Sequence, residues 1–224
     1  MDSATLAKLL SGQQQLIEKI SSELPLKDCL FSICELIETC IDLPFAKSSI
    51  LLLDGEQLHH GAAPSLPTAY CEAIDGVQIG PGVGSCGTAA FSKKRIIVSD
   101  IASDPLWANF KEIALMYELR ACWSTPILSS KKEVLGTFAI YYSKIKMPSA
   151  SHLELIDHFI HLSSLAIEKA HSELRTSTLS AQLLTSNEKF KAITSVIPDL
   201  ALVFSQNGDY IDVYGSDLRL LNKL

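Results

Sequence analysis

The residues able to do chemistry crowd into one stretch of this chain. Gly82-Val83-Gly84-Ser85-Cys86-Gly87-Thr88 puts two hydroxyls and a thiol beside a glycine-rich turn. Glycine permits the sharp turn, and the free N–H groups of the helix behind it favour a phosphate or carboxylate. Ser85, Gly87 and Thr88 form that donor set. A turn capped by Ser85 with no ligand is the plainer alternative. Further along come Trp107, Phe110, Tyr117 and Trp123. Rings at 107 and 123 could sandwich a flat ligand, although filling a core explains aromatics equally well. Tyr70, Cys86, Asp100 and Ser124 complete the candidate ligand-binding set. Turn formation also explains Asp100 and its neighbour Asp104.

Cys86 and Cys122 raise thiol chemistry, which needs a depressed pKa. Cys86 sits near a helix start; Cys122 has no evident activator. The six cysteines form no C-x-x-C pair and no zinc-ligand spacing with histidine. Free buried thiols in a reducing compartment are the expectation. His152, His158, His161 and His171 fall on one long helix; His158 and His161 share a face, so a metal or haem ligand is conceivable. The chain has no C-x-x-C-H attachment motif, and solvated flank positions are the simpler reading.

Residues 82–87 also match G-x-G-x-x-G, with Asp100 closing the next strand. The dinucleotide context fails: no full strand precedes, Pro81 interrupts, and the acid comes well before the ~20-residue spacing. No P-loop, H-E-x-x-H, paired-carboxylate or Ser/His/Asp pattern is present. No catalytic residue is assigned, and a regulatory region rather than an enzyme is expected.

The elements that position these residues follow from periodicity. Residues 4–24 read as a helix with Leu6, Leu9, Leu16, Ile20 and Leu24 near one stripe, a narrow seam that calls for a partner helix. Leu26 to Ile41 is a broader amphipathic helix suited to covering a sheet. Lys47 to Leu53 and Gln57 to Ala63 pair across an Asp54-Gly55 hairpin signal. Pro67 to Ile74 is a short helix, and Gln78-Ile79 a short edge strand. Ser85 to Lys94 is helical, Arg95 to Ser99 a strand, Pro105 to Glu118 a loop with a short helix. Ala121 to Leu128 and Val134 to Tyr142 form a second hairpin. A long helix follows, capped by Ser149 or by Ser151 with Glu154. Its seven-residue seam, from Leu153 through Leu174 to Ala181, predicts a coiled coil beyond His171 that forms only with the dimer.

This order of pieces resembles a GAF domain, carried by Gly82-Val83-Gly84 with Gly87 and Ala89-Ala90, then Val98-Ser99-Asp100, Ser124-Thr125-Pro126-Ile127 and Val134-Leu135-Gly136. The resemblance covers roughly Pro25 to Ala170. It implies an α+β fold with a central antiparallel sheet of about six strands, helices packed on it, and long terminal helices forming a dimer bundle. It also implies a small-molecule ligand between the sheet and the Pro105–Glu118 segment. Free methionine sulfoxide reductases, which share the fold, have cysteines in similar places. Here Ala121-Cys122-Trp123 runs directly into Ser124-Thr125-Pro126, without the acidic segment that binds substrate there. Residues 187–193 resemble the entry helix of a PAS domain, followed by strands at Pro198–Phe204 and Tyr210–Tyr214 joined by an Asn207-Gly208 turn.

The expected organisation is therefore a dimer-contact helix (1–24), a GAF domain (25–170), a coiled-coil signalling helix (171–187) and the first part of a PAS domain (188–224). A longer multidomain protein is expected, with a diguanylate cyclase output ranked before a cyclic-di-nucleotide phosphodiesterase or histidine kinase. The expected partners are a small-molecule ligand, with a cyclic nucleotide as first guess, and a second copy in a parallel homodimer. A ligand-free dimerisation scaffold and a redox or haem sensor are the alternatives. Composition agrees: 224 residues, 47% hydrophobic, net charge -6. Nucleic-acid binding is disfavoured by the lack of clustered basic residues. No apolar run approaches the ~20 residues of a membrane span, so a cytoplasmic location is expected.

Overall fold

The computed structural model describes residues 3–40, 45–195 and 201–214. They fall into two compact units, Met1–Ala170 and His171–Leu224. The first is built on one antiparallel sheet: β1 (Lys47–Asp54), β2 (Gln57–Ala62), β3 (Val77–Gln78), β4 (Ile96–Val98), β5 (Ala121–Leu128) and β6 (Val134–Tyr142), in the order β3-β2-β1-β6-β5-β4. Helices α1 (Ser3–Ser21), α2 (Leu26–Cys40) and the first turns of α6 (Ala150–Ser195) cover one face. On the other lie α3 (Thr68–Ile74), α4 (Gly84–Ser92), the 3-10 turn Pro105–Trp107 and α5 (Lys111–Met116). This is the expected α+β architecture.

Side chains alternate along a strand, so each strand serves both layers. Ala121, Trp123, Ile127, Phe138, Ile140 and Tyr142 join the core beneath α1, α2 and α6. Cys122, Ala139 and Tyr141 join the core on the opposite face. At Gly136, a Cβ would lie 2.1 Å from the Leu51 carbonyl oxygen, so glycine lets β1 and β6 close on each other there.

One local expectation changes and two are narrowed. Asp54 pairs with Gln57, so the hairpin loop is Gly55-Glu56 rather than Asp54-Gly55. Gly55 alone of the two has positive φ, 58°, matching a turn with glycine at its first central position. The α1 seam finds its partner within the chain: Leu9, Leu16 and Ile20 are buried in the same core as α2. Gly12 lies where any side chain would strike Leu36. Leu6 has no described side chain. The cap of α6 is Ser149, not Ser151: its hydroxyl accepts from the His152 backbone N at 3.2 Å, while His152 Nδ1 accepts from the Ser149 N at 3.0 Å. That reciprocal pair closes the helix start as a Ser/Glu box would.

Within the second unit, α6 runs on to Ser195, through the residues 187–193 expected to be helical. The side chains of residues 171–192 are all exposed. A two-stranded hairpin, β7 (Ala201–Phe204) and β8 (Tyr210–Tyr214), follows. Gly208, at φ 87°, makes its turn. Pro198-Asp199-Leu200, expected to open the first of these strands, lies outside the described residues.

Candidate functional site

Gly82 and Gly84, at φ 76° and 53°, swing the chain into α4 so that the helix starts over β5 and β6. Ser85, the expected cap, turns inward instead. It is fully buried; its hydroxyl accepts from Trp107 Nε1 at 3.0 Å and donates to the Cys122 carbonyl at 3.4 Å. Asp104 holds Trp107 in place: its carboxylate accepts from Leu106 N at 2.9 Å and starts the 3-10 turn. One hydroxyl thus latches the Pro105–Glu118 segment onto α4 and the sheet.

Under that latch lies a cavity of about 40 Å³. Leu51, Leu58 and Tyr141 come from the sheet, Tyr70 and Ile74 from α3, Val83 to Gly87 from α4 and its lead-in, and Trp107 and Phe110 from the covering segment. No charged side chain lines it. A water needs roughly 10–15 Å³ by this kind of measure, so the closed form has room for only a few atoms.

The structure gathers Tyr70, Ser85, Cys86, Gly87, Trp107 and Phe110 at this cavity. Tyr117 stands one layer back, its ring edge-on to Tyr70 at 5.9 Å. Thr88 and Ser124 are near but do not line it. Asp100 is spent on structure: it pairs with Arg120 at 2.9 Å and accepts from Ala102 N and Ser103 Oγ, both at 3.1 Å. Trp123 is on the wrong face for a sandwich with Trp107. It packs against Tyr142, with centroids 4.5 Å apart, stacks on His152 at 5.8 Å, and donates its indole N–H to the Lys146 carbonyl. Strand alternation is the reason: Cys122 faces the cavity side, so Trp123 cannot. The chief residue missed is Tyr141. The doublet Tyr141-Tyr142 concealed that its two rings serve opposite faces.

Beside the cavity the sheet carries a ring of hydroxyls. Ser49 and Ser124 each pair with Ala139 across the strands, and Thr137 and Tyr141 flank Ala139 along β6. Ser49 Oγ, Ser124 Oγ and Thr137 Oγ1 are buried without a well-formed hydrogen bond; Ser124 and Thr137 face the Cys86 sulfur, and Ser49 faces the Tyr141 hydroxyl. Cys86 enters this ring from α4, with Sγ 3.8 Å from the Tyr141 hydroxyl. Cys122, the cross-strand partner of Tyr141, lies beside it. The Cys122 thiol, followed by the Ser124, Tyr141 and Thr137 hydroxyls, lowers the Cys86 pKa to about 7 against the effect of burial. Burial, then the neighbouring Cys86, pushes Cys122 well up. Burial also raises Tyr70 and Tyr141.

His158, His161 and His171 are exposed on α6. Among the described residues, no group of three or more His, Cys, Asp or Glu is placed to hold a metal. Among them, too, no helix is long and apolar enough to cross a membrane.

Comparison with known proteins agrees with this architecture. The model of the GAF domain family matches residues 23–168, more than half of the chain. A curated relative, the methyl sulfide methyltransferase-associated sensor of Methanosarcina acetivorans, is 35% identical over 209 residues. That alignment takes in 92% of this chain and 20% of the relative, so the chain spans about a fifth of the relative's length. Among solved structures, the GAF domain of an Acinetobacter phosphoenolpyruvate-protein phosphotransferase superposes with a TM-score of 0.59 at 15% identity, over 78% of this chain and 99% of that one. Free methionine-R-sulfoxide reductase from Neisseria meningitidis gives 0.57 at 16% identity, over 77% and 95%. At such identity these structures speak for the fold alone. Family match, sheet order and helix placement lead to one conclusion: this chain belongs to the GAF domain family.

Proposed function

We propose that this GAF domain is a regulatory sensor that takes a compact, uncharged, largely apolar ligand under the Trp107 latch. The observation that carries the reading is the Trp107–Ser85 hydrogen bond closing an apolar cavity between sheet and covering segment. Ligand pockets are commonly about 300–1,000 Å³, so the segment must move outward for anything large to enter. A cyclic nucleotide needs that opening and also a partner for its phosphate, which the uncharged lining does not offer. It therefore ranks behind small neutral compounds. The relative's name links that protein to a methyl sulfide methyltransferase, which puts methylated sulfur compounds first in a panel.

Signal transmission is proposed to run through α6 in a parallel pair of chains, with an output of the cyclase, phosphodiesterase or kinase kind elsewhere in the protein and the β7–β8 hairpin as the start of a PAS domain. Leu10 and Ile17, seven apart on α1, are 59% and 53% exposed, which leaves an apolar face for a second copy. Ligand acts on the output only by differing in affinity for two arrangements of the helix.

A thermal-shift panel of methylated sulfides, small alcohols and ketones, and cyclic nucleotides tests the ligand class. At 100 times its dissociation constant a ligand adds about 2.7 kcal/mol, or roughly 5–10 °C here. We expect a shift with a small neutral compound that Trp107→Ala abolishes. A shift with cyclic nucleotides alone would overturn the reading.

A further inference from the structure

Buried hydroxyls on three strands, two facing one sulfur and the third facing the Tyr141 hydroxyl beside it, call for an explanation. Ser49, Ser124 and Thr137 share a face with Tyr141 and Cys122 around the small Ala139, and Cys86 descends among them from the first turn of α4. Hydroxyls left unbonded in a dry core are costly unless an acceptor is formed there. A thiol is a weak acceptor, whereas a thiolate is a strong one. The arrangement fits the ionised sulfur better than the neutral one.

We propose that Cys86 and Cys122 are a peroxide-oxidised thiol pair, in which Cys86 is the attacking thiolate and Cys122 the resolving thiol. This goes beyond ligand sensing and requires no resident ligand. Cys86 lines the cavity and is partly exposed, so a peroxide the size of hydrogen peroxide can reach it. Cys122 is fully buried and is reached only through its neighbour.

The thiolate attacks one peroxide oxygen, the O–O bond breaks, and the departing oxygen leaves as water after taking a proton. Cys86 is then a sulfenic acid. The Cys122 sulfur attacks the Cys86 sulfur; the S–O bond breaks, the hydroxyl leaves as water with the Cys122 proton, and the S–S bond forms. Two thiols lose two electrons and two protons in all, and hydrogen peroxide becomes two waters. The product ties the start of α4 to β5 directly beneath the cavity.

The other cysteines lack this setting. Burial pushes Cys34 up to about 12 and raises Cys71, while Cys29 and Cys40 are buried under the helical layer. The titratable groups facing Cys86 are Cys122 from β5, Tyr141 from β6 and Tyr70 from α3. With its pKa at about 7, Cys86 is half ionised at neutral pH, a roughly fifty-fold larger thiolate fraction than an ordinary thiol near 9.

The test treats the reduced 224-residue chain with stoichiometric hydrogen peroxide and maps disulfides by mass spectrometry under non-reducing conditions. We expect one Cys86–Cys122 linkage. Cys122→Ser should instead give a Cys86 sulfenic acid trapped by dimedone, and Cys86→Ser should not react at that dose. In Ser124→Ala/Thr137→Val, the pH midpoint for Cys86 alkylation should rise and oxidation at pH 7 should slow several-fold. A linkage between other cysteines, unchanged oxidation in Cys86→Ser, or wild-type alkylation with a midpoint near 9 would overturn the proposal. None of these outcomes depends on the cavity binding a ligand.

Discussion

The two faces of the central sheet are built from alternate residues of the same strands, yet they differ in kind. On the helical side, β5 and β6 present Trp123, Phe138, Ile140 and Tyr142 to a continuous core whose lone unbonded side-chain group from these strands is the Tyr142 hydroxyl. On the cavity side the same strands present Cys122, Ser124, Thr137 and Tyr141, several with unbonded hydroxyls. The helical face is packed for stability. The other face gives up packing to keep a cavity and a set of polar atoms. A two-residue period thus lets one hairpin serve both as scaffold and as site, and a shift of one residue in register would exchange the two roles.

That contrast can be broken at neighbouring positions. Phe138 is fully buried on the helical face, and Phe138→Ala should cost about 3–5 kcal/mol. Urea denaturation would show it as a lower midpoint, with Cys86 reactivity unchanged in the folded protein. A small loss would mean that the two layers are less distinct than their composition.

Cys34 beneath the helices and Cys86 at the cavity should also respond oppositely to pH. Burial raises Cys34, beneath the helices, from 9.0 to about 12. The unfolded chain therefore releases that proton first, and stability is lost as pH rises from about 9 towards 12. The limiting slope is about 1.4 kcal/mol per pH unit for each such group. For Cys86 the folded pKa is depressed, so its contribution is lost as pH falls from about 9 through 7. Buried Cys122, Tyr70 and Tyr141 have raised pKa values and add to the alkaline loss. Thermal melts between pH 8 and 11 should show a declining midpoint, and Cys34→Val should flatten part of that decline. An unchanged slope in the variant would assign the alkaline loss to the cavity face alone.

The smallest stability effect belongs to the cavity-side neighbour of Phe138. Thr137→Val exchanges an unpartnered buried hydroxyl for a methyl of similar shape, which should be nearly neutral or slightly stabilising. Alkylation kinetics should nevertheless show a slower Cys86 at pH 7. A stability loss as large as that of Phe138→Ala would mean that the hydroxyl serves packing rather than the sulfur.

The sequence made the sheet legible because its hairpins carry strong local signals. Lys47 to Asp54, Ala121 to Leu128 and Val134 to Tyr142 all lie close to their expected spans. Which face each side chain takes was harder to see. Trp123 has the look of a ligand contact because it is aromatic, although its alternation with Cys122 opposes that role. Ser85 looked like a cap because caps are local, whereas its true partners, Trp107 and the Cys122 carbonyl, are distant in sequence. The hydroxyl ring was invisible for the same reason: Ser49, Ser124 and Thr137 become neighbours only once strand register is known. The periodic stripe of α1 shows that a helix is wanted, but a stripe does not say whose helix it meets.

At the far end of the β5–β6 hairpin, Ser130 gives both its N–H and its hydroxyl to the Glu168 carboxylate, at 3.1 and 2.8 Å, and one turn earlier Ser164 donates to the Leu128 carbonyl at 2.8 Å. Those bonds fix the azimuth of α6 at this point against the strands that hold Cys122 and Tyr141. Any sliding of the hairpin must either carry Glu168 with it or break the clamp, so helix and hairpin are geared to each other there.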